Sequence, residues 1–206
     1  MSKETIKMNV GRIVALADGI FAIAMTLLVV TIDIPKKSHI ISVEGLHKFI
    51  FEQYHEIFNY VLSFILLGAF WTIHHQQFHY IKHTDQKHLW INIMIFMSIT
   101  LVPFVTSLAG DFPGDLLAKL VFHFDMFAMG VLFYLNWLYA TNNKHLVDAS
   151  LKDEEIIIEK KKLLIIPCTA FLAILIAFIE PMISSSLYLL IPVMLSLKRF
   201  NIKNVE

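Results

Sequence analysis

Residues 12–35 read RIVALADGIFAIAMTLLVVTIDIP, and this stretch decides the class of the chain. After Asp18 the run is apolar almost to Pro35, about the 20 residues a helix needs to cross a hydrocarbon layer. A carboxylate a turn and a half inside such a helix costs roughly 2.5–3.5 kcal/mol on insertion scales. Asp18 is therefore expected to have polar partners and a task.

The rest of the chain repeats the pattern. Of 206 residues, 57% are hydrophobic, against about 45–50% in soluble domains, and the mean hydropathy is +0.65. The excess lies in long runs, which points to an integral membrane protein. Formal net charge is zero, so no nucleic-acid partner is expected. The single cysteine, Cys168, cannot form an intrachain disulfide. The first run is too long for a secretory h-region of ~7–15 residues, so a cleaved leader is not expected.

Six segments are candidate spans, near 12–34, 54–81, 88–109, 115–141, 162–180 and 182–198. Pro35 closes the first, Gly110-Asp111-Phe112-Pro113 the third and Asn142-Asn143 the fourth. The charged run 144–162 reads as a helical linker, and Glu180-Pro181 as the junction of the last two spans. The expected fold class is all-α: a polytopic membrane protein with six transmembrane helices per subunit, residues 1–206 forming one six-helix transmembrane domain. With the N-terminus inside, 13 of the 17 Lys and Arg fall on the inner side, and only Lys36, Lys37, Lys48 and Lys119 outside. This bias places both termini in the cytoplasm.

Depth arithmetic then groups the polar residues. Asp18 lies about 9 Å beyond Arg12 at 1.5 Å per residue. His74 and His75 precede the inner end of the second helix by a similar stretch, with Trp71 one turn above. Asn92 is one turn into the third helix. Asp18, Trp71, His74 or His75, and Asn92 are expected in one inner-leaflet layer, where hydrogen bonds satisfy groups that lipid cannot. Such a layer locks helices together, or relays protons or ions. His75, His79 and His83 fall at i, i+4 and i+8, a spacing open to metal binding, but no HExxH, Cys or carboxylate is interleaved. No metal or other cofactor is expected, and no enzymatic activity. Asp125 has no partner deducible from sequence, and Glu180 reads as a helix-end acid near the outer interface.

Ile23, Leu27 and Val30 form one stripe of the first helix, with Thr26 beside it. The stripe serves packing or lipid contact, or it forms a hydrophobic constriction around a symmetry axis. The second use requires an oligomer, because one helix cannot enclose a pore.

These residues carry a family resemblance. The run RIVALADGIFAIAMTLLV resembles the first-helix signature of the transmembrane protein 175 family of potassium channels, Arg followed by Phe-Ser-Asp. FWTIHHQQF at 70–78 is similar to the family's Trp and paired-His motif. Asn92 followed by Pro103-Phe104-Val105-Thr106 is similar to its third-helix pattern. The last three helices match by span count alone. The resemblance implies a homotetramer in the cell membrane whose four first helices line a pore that passes potassium ions. It implies that Ile23 is the constriction, Leu27 and Val30 apolar rings beyond it, and Thr26 a hydroxyl linked to selectivity. It implies further that Arg12, Asp18, Trp71, His74, His75 and Asn92 brace the pore helix. Leu16 and Ala17 depart from the signature's Phe and Ser. Two rivals remain open: a proton-coupled secondary transporter using the Asp/His layer, and a metal-dependent membrane enzyme on His75, His79 and His83.

Overall fold

The computed structural model describes residues 8–33 and 43–196. A two-residue strand, β1 (Met8–Asn9), precedes α1 (Gly11–Leu27), which a 3-10 turn over Leu28–Thr31 extends. A short helix α2 (Val43–Glu52) leads into α3 (Tyr54–Tyr80). Strand β2 (His83–Thr84) separates α3 from α4 (Gln86–Asp111), and α5 (Leu116–Thr141) follows after a tight turn. The chain ends in α6 (Asp153–Leu163), α7 (Ile165–Ala177), α8 (Pro181–Ser184), a 3-10 segment Ser185–Leu189, and α9 (Leu190–Ser196).

Among the described residues, four helices are long and apolar enough to cross a membrane: Gly11–Thr31, Tyr54–Tyr80, Gln86–Asp111 and Leu116–Lys144. They match the first four expected spans to within a few residues. The fifth and sixth segments are shorter. Helix α7 has 13 residues, about 20 Å at 1.5 Å per residue, and the apolar stretch Pro181–Leu195 is broken into three pieces. Proline and serine explain the pieces. Pro181 starts α8, where its missing N–H is no loss, and Glu180 caps it by accepting from the Met182 N–H at 3.3 Å. The serines at 184–186 then favour turns over helix. Helix α2 is unanticipated. Val43, Leu46 and Ile50 lie exposed at helical spacing, the pattern of a helix lying in a membrane interface. The first span's expected end at Ile34, its stop at Pro35, the sixth span's end at 198, and the topology votes of Lys3, Lys7, Lys36, Lys37, Lys198, Arg199 and Lys203 lie outside the described residues.

Short connections make neighbouring helices antiparallel, and the chain itself gathers one end of the bundle. Strands β1 and β2 pair antiparallel, Met8 with Thr84 and Asn9 with His83. The loop after α5 joins them: Leu146 O accepts from the Lys82 N–H, Tyr80 O from the Asp148 N–H, and Ile81 bridges Val147. The start of α1, the α3–α4 turn and the α5–α6 loop therefore share one face, the face that carries Arg12, Lys82, Lys87 and Lys144. Helix α4 lies at the centre against α1, α3 and α5, and α7 packs on the far side of α5. Phe21, Phe70, Phe133, Trp137 and Tyr188 are fully enclosed. A Cβ on Gly130 would stand 2.8 Å from Pro167 Cδ, so this glycine permits the close approach of α5 and α7.

Candidate functional site

Helix α1 is buried along one narrow strip. Ile13, Ala17, Phe21, Ala24 and Leu28 face α3 and α4, at the three- and four-residue spacing of a single helical edge. Only 28% of its apolar window is buried, against 44% to 56% in the other three long helices. Ile23, Leu27 and Val30 all lie on the uncovered side, with 62%, 48% and 75% of their surface exposed. Thr26 is exposed beside them, and its hydroxyl donates to Ile23 O at 2.8 Å. The proton is thus used within the helix, and the oxygen lone pairs are left for an outside donor or cation. The two departures from the signature fall on opposite sides: Ala17 is completely buried and Leu16 is exposed. The small Ala17 side chain sits in the contact strip itself.

Asp18 finds one of its expected partners. Trp71 Nε1–H donates to Asp18 Oδ1 at 2.9 Å, across 53 residues of sequence. The His75 ring lies 5.9 Å from the Trp71 ring and is exposed. Arg12 is exposed at the start of α1 and makes no ion pair among the described residues. His74 is buried in an aromatic cage, stacked on Phe78 at 4.4 Å with Phe21, Phe96 and Phe133 around it.

Asn92 goes elsewhere, which corrects the expectation of one network around Asp18. Its Nδ2 donates to Asn136 Oδ1 at 2.9 Å and to His88 O at 2.9 Å. Asn136 Nδ2 donates to Gln77 Oε1 at 2.8 Å, and Gln77 Nε2 to Phe133 O at 3.0 Å. All three amides are completely buried. Direction around the helix sends the Asn92 amide toward Asn136 on α5. Gln77 and Asn136 went unnoticed, although a signal was present. Gln77 continues the buried stripe of Phe70 and His74, and Asn136 that of Met129 and Phe133.

The gathered face holds a third group that the sequence did not reveal. Asp85 caps α4, accepting from the His88 N–H at 2.9 Å through Oδ1 and from the Tyr139 hydroxyl at 2.8 Å through Oδ2. His145 Nε2 stands 3.6 Å from Oδ2. Burial pushes this carboxyl up, but the hydrogen bonds and the nearby His145 outweigh it and hold Asp85 below the ordinary carboxylate value. Thr84 Oγ1 and His88 Nδ1 lie 2.8 Å apart. Helix α3 stops at Tyr80, so His83 belongs to β2 and does not extend the histidine face of His75 and His79. Among the described residues no three His, Cys, Asp or Glu side chains converge as a metal site. Asp125 Oδ2 is buried without a hydrogen-bond partner.

A sequence model described as the endosomal/lysosomal potassium channel TMEM175 matches residues 12–103, the interval from Arg12 to Pro103. A potassium channel of Streptomyces collinus is 32% identical over 142 residues, covering 67% of this chain and 68% of that protein. The chain belongs to the TMEM175 family. A second relative, a potassium channel of Chamaesiphon minutus, is 30% identical over 154 residues, 69% of this chain and 75% of its own length. Among solved structures, a lysosomal potassium-selective channel TMEM175 homolog from Chamaesiphon minutus superposes with a TM-score of 0.79 at 27% identity, over 93% of this chain and 97% of that one. TMEM175 membership also makes the chain a membrane protein of a channel family. The family match covers α1, α3 and most of α4, the elements that carry the uncovered strip, the Asp18–Trp71 bond and Asn92.

Proposed function

We propose that this chain is a potassium-preferring cation channel of the cell membrane, conducting passively through a homotetrameric pore lined by four copies of α1. The observation that carries the reading is the bareness of α1. A helix with Ile23, Leu27 and Val30 uncovered and Asp18 on the same open side needs neighbours, and four related copies around an axis supply them. Ile23 then forms the narrow hydrophobic constriction, with Leu27 and Val30 as further apolar rings that gate by wetting and drying. Thr26 offers oxygen lone pairs to a dehydrating ion. Arg12, Asp18, Trp71, His74, His75 and Asn92 hold the pore helix, Asp18 and Trp71 directly and Asn92 through the α3–α4–α5 scaffold behind it. The relatives named as potassium channels support the ion assignment.

In this reading α7 and the Pro181–Leu195 stretch supply the fifth and sixth crossings, and both termini lie in the cytoplasm. The short crossings are compatible with a locally thinned bilayer. No cofactor takes part; potassium is the permeant species.

The test is a planar-bilayer recording of the purified protein with potassium on one side and sodium on the other. The expected result is unitary current reversing toward the potassium equilibrium potential. Slow saturable flux that requires a proton gradient, without unitary current, would overturn the channel reading in favour of a transporter.

A further inference from the structure

The seam between α5 and the α6–α7 pair carries a groove that conduction does not use. Two cavities follow each other along it. One, of about 560 Å³, is walled by apolar surface from Phe127, Val131, Tyr134, Leu164, Cys168 and Phe171. The other, of about 530 Å³, mixes polar and apolar surface and is walled by Thr141, Asn143, Lys144, Asp153, Ile157 and Lys160. On α5 these residues recur at steps of three, four and seven. On α6 and α7, positions 153, 157, 160, 164, 168 and 171 recur at steps of three and four. The first set is one edge of α5 and the second follows one side of α6 and then α7, so the two cavities succeed each other along the same seam.

Its dimensions and polarity fit one leaflet. Phe127 to Thr141 spans about 21 Å of helix at 1.5 Å per residue. Half of a bilayer with its headgroups is about 20–22 Å. The apolar part lies toward the middle of α5, and the polar part lies at the face that gathers Arg12, Lys82 and Lys87. Lys144 is occupied by Leu151 O at 2.7 Å and by Asp153 at 2.9 Å. Lys160 has no acidic partner among the described residues, and its neighbour Lys161 is exposed.

We propose that this seam binds one anionic phospholipid per subunit, its acyl chain between α5 and α7 and its phosphate at Lys160. The proposal rests on the membrane-channel reading above, which also places the site in the inner leaflet. Leu164 then covers the glycerol region, and the exposed Asn143 amide offers a hydrogen bond to the phosphate. The lysine confers preference for a net negative headgroup, and the apolar groove holds any acyl chain.

The experiment uses the full-length protein in vesicles containing phosphatidylglycerol or phosphatidylcholine with a photoactivatable diazirine on the acyl chain. Adducts are expected on Phe127–Tyr134 and Leu164–Leu172, several-fold more from phosphatidylglycerol. Lys160→Ala should reduce phosphatidylglycerol adducts about fivefold, the equivalent of roughly 1 kcal/mol for one lysine at an anionic surface, and leave phosphatidylcholine adducts unchanged. Lys160→Arg should restore them, Cys168→Trp should remove groove adducts of both lipids, and Lys48→Ala, outside the seam, should change nothing. Adducts spread evenly over the exposed faces of α3 and α4, or indifference of phosphatidylglycerol to Lys160→Ala, would overturn the site. Potassium flux from the same vesicles reports separately on the channel reading: conducting protein with unselective labelling sinks only the lipid site, and selectively labelled protein without flux sinks only the channel.

Discussion

Asn136 sits between two other buried amides, and its replacement by leucine separates the energy of making hydrogen bonds from that of leaving them unmade. Asn136→Leu removes the acceptor for Asn92 Nδ2 and the donor to Gln77 Oε1. Asn92 keeps its bond to His88 O, so its loss is small. Gln77 Oε1 is left buried with no partner. Interhelical hydrogen bonds within membranes average about 0.6 kcal/mol, which gives about 1.2 kcal/mol for two. The orphaned carbonyl adds about 1–3 kcal/mol, for a total destabilisation of roughly 2–4 kcal/mol. Adding Gln77→Leu removes the orphan. The bond it also removes, to Phe133 O, leaves a carbonyl that still has its intrahelical partner. The double variant should therefore recover about 1–2 kcal/mol relative to Asn136→Leu alone. Reversible unfolding in mixed detergent and lipid micelles, run as a double-mutant cycle, measures both values. A double variant less stable than Asn136→Leu would refute the orphan argument, because the cost would then lie in lost packing volume.

Three further outcomes follow from individual contacts. Gly130→Ala places a methyl 2.8 Å from Pro167 Cδ and 3.0 Å from Pro167 N, and should cost about 1–3 kcal/mol by overpacking, read as a lower midpoint of thermal unfolding; an unchanged midpoint would show that α7 shifts freely. Trp71→Phe removes the donor to Asp18 and should lower both stability and single-channel open time, whereas Trp90→Phe, at an exposed ring, should leave both unaltered. Asp85 has a folded pKa below its ordinary 3.8, so its ionised form stabilises the fold above about pH 3.8 and that stabilisation is lost as pH falls through the lower folded value. Asp85→Asn should destabilise the protein at neutral pH and flatten the acid limb of a stability–pH profile, and an acid limb of unchanged slope would show that other carboxylates set it.

The first four membrane helices were legible because each is long and apolar, and two are closed by a breaker: the Gly110–Pro113 cluster after α4, and Asn142-Asn143 after α5, where Asn143 and Lys144 both adopt left-handed backbone at φ 52°. The end of the chain was not legible to the same degree. Its apolar content suggested two full spans, but Pro181 and the three serines after Ile183 divide it into short helical pieces. Those pieces hold together through long-range contacts with α5, such as His123 with Tyr188 at 3.1 Å and with Ser184 at 2.8 Å. Periodicity carries no information about such contacts. The site shows the same division. Counting residues gave the depth of Asp18 and Trp71 and so their bond. Asn92 lies at a similar depth, but its partner is set by its angle around α4, and that angle is fixed only when α5 is in place. Asp85, Tyr139 and His145 meet because the loop between α5 and α6 folds back onto β2, a tertiary event with no local signature.

Together these contacts show where polar interactions are concentrated. The three buried amides tie α3, α4 and α5 to one another and leave α1 aside. Helix α1 is held by an apolar strip, by the Asp18–Trp71 bond, and by its ends. At one end β1 pairs with β2. At the other the Asp33 N–H donates to Glu56 Oε2 at 3.0 Å, and Gln53 Nε2 donates to Asp33 O at 2.9 Å. A helix pinned at both ends and along one edge is fixed in position but open to contact along most of its length. Asp18 lies on that open side with a single hydrogen bond among the described residues, and lipid at its second oxygen would impose the cost of an unpaired carboxylate. In the proposed channel, water and other copies of this chain would meet the bare face of α1, as a pore-lining helix requires.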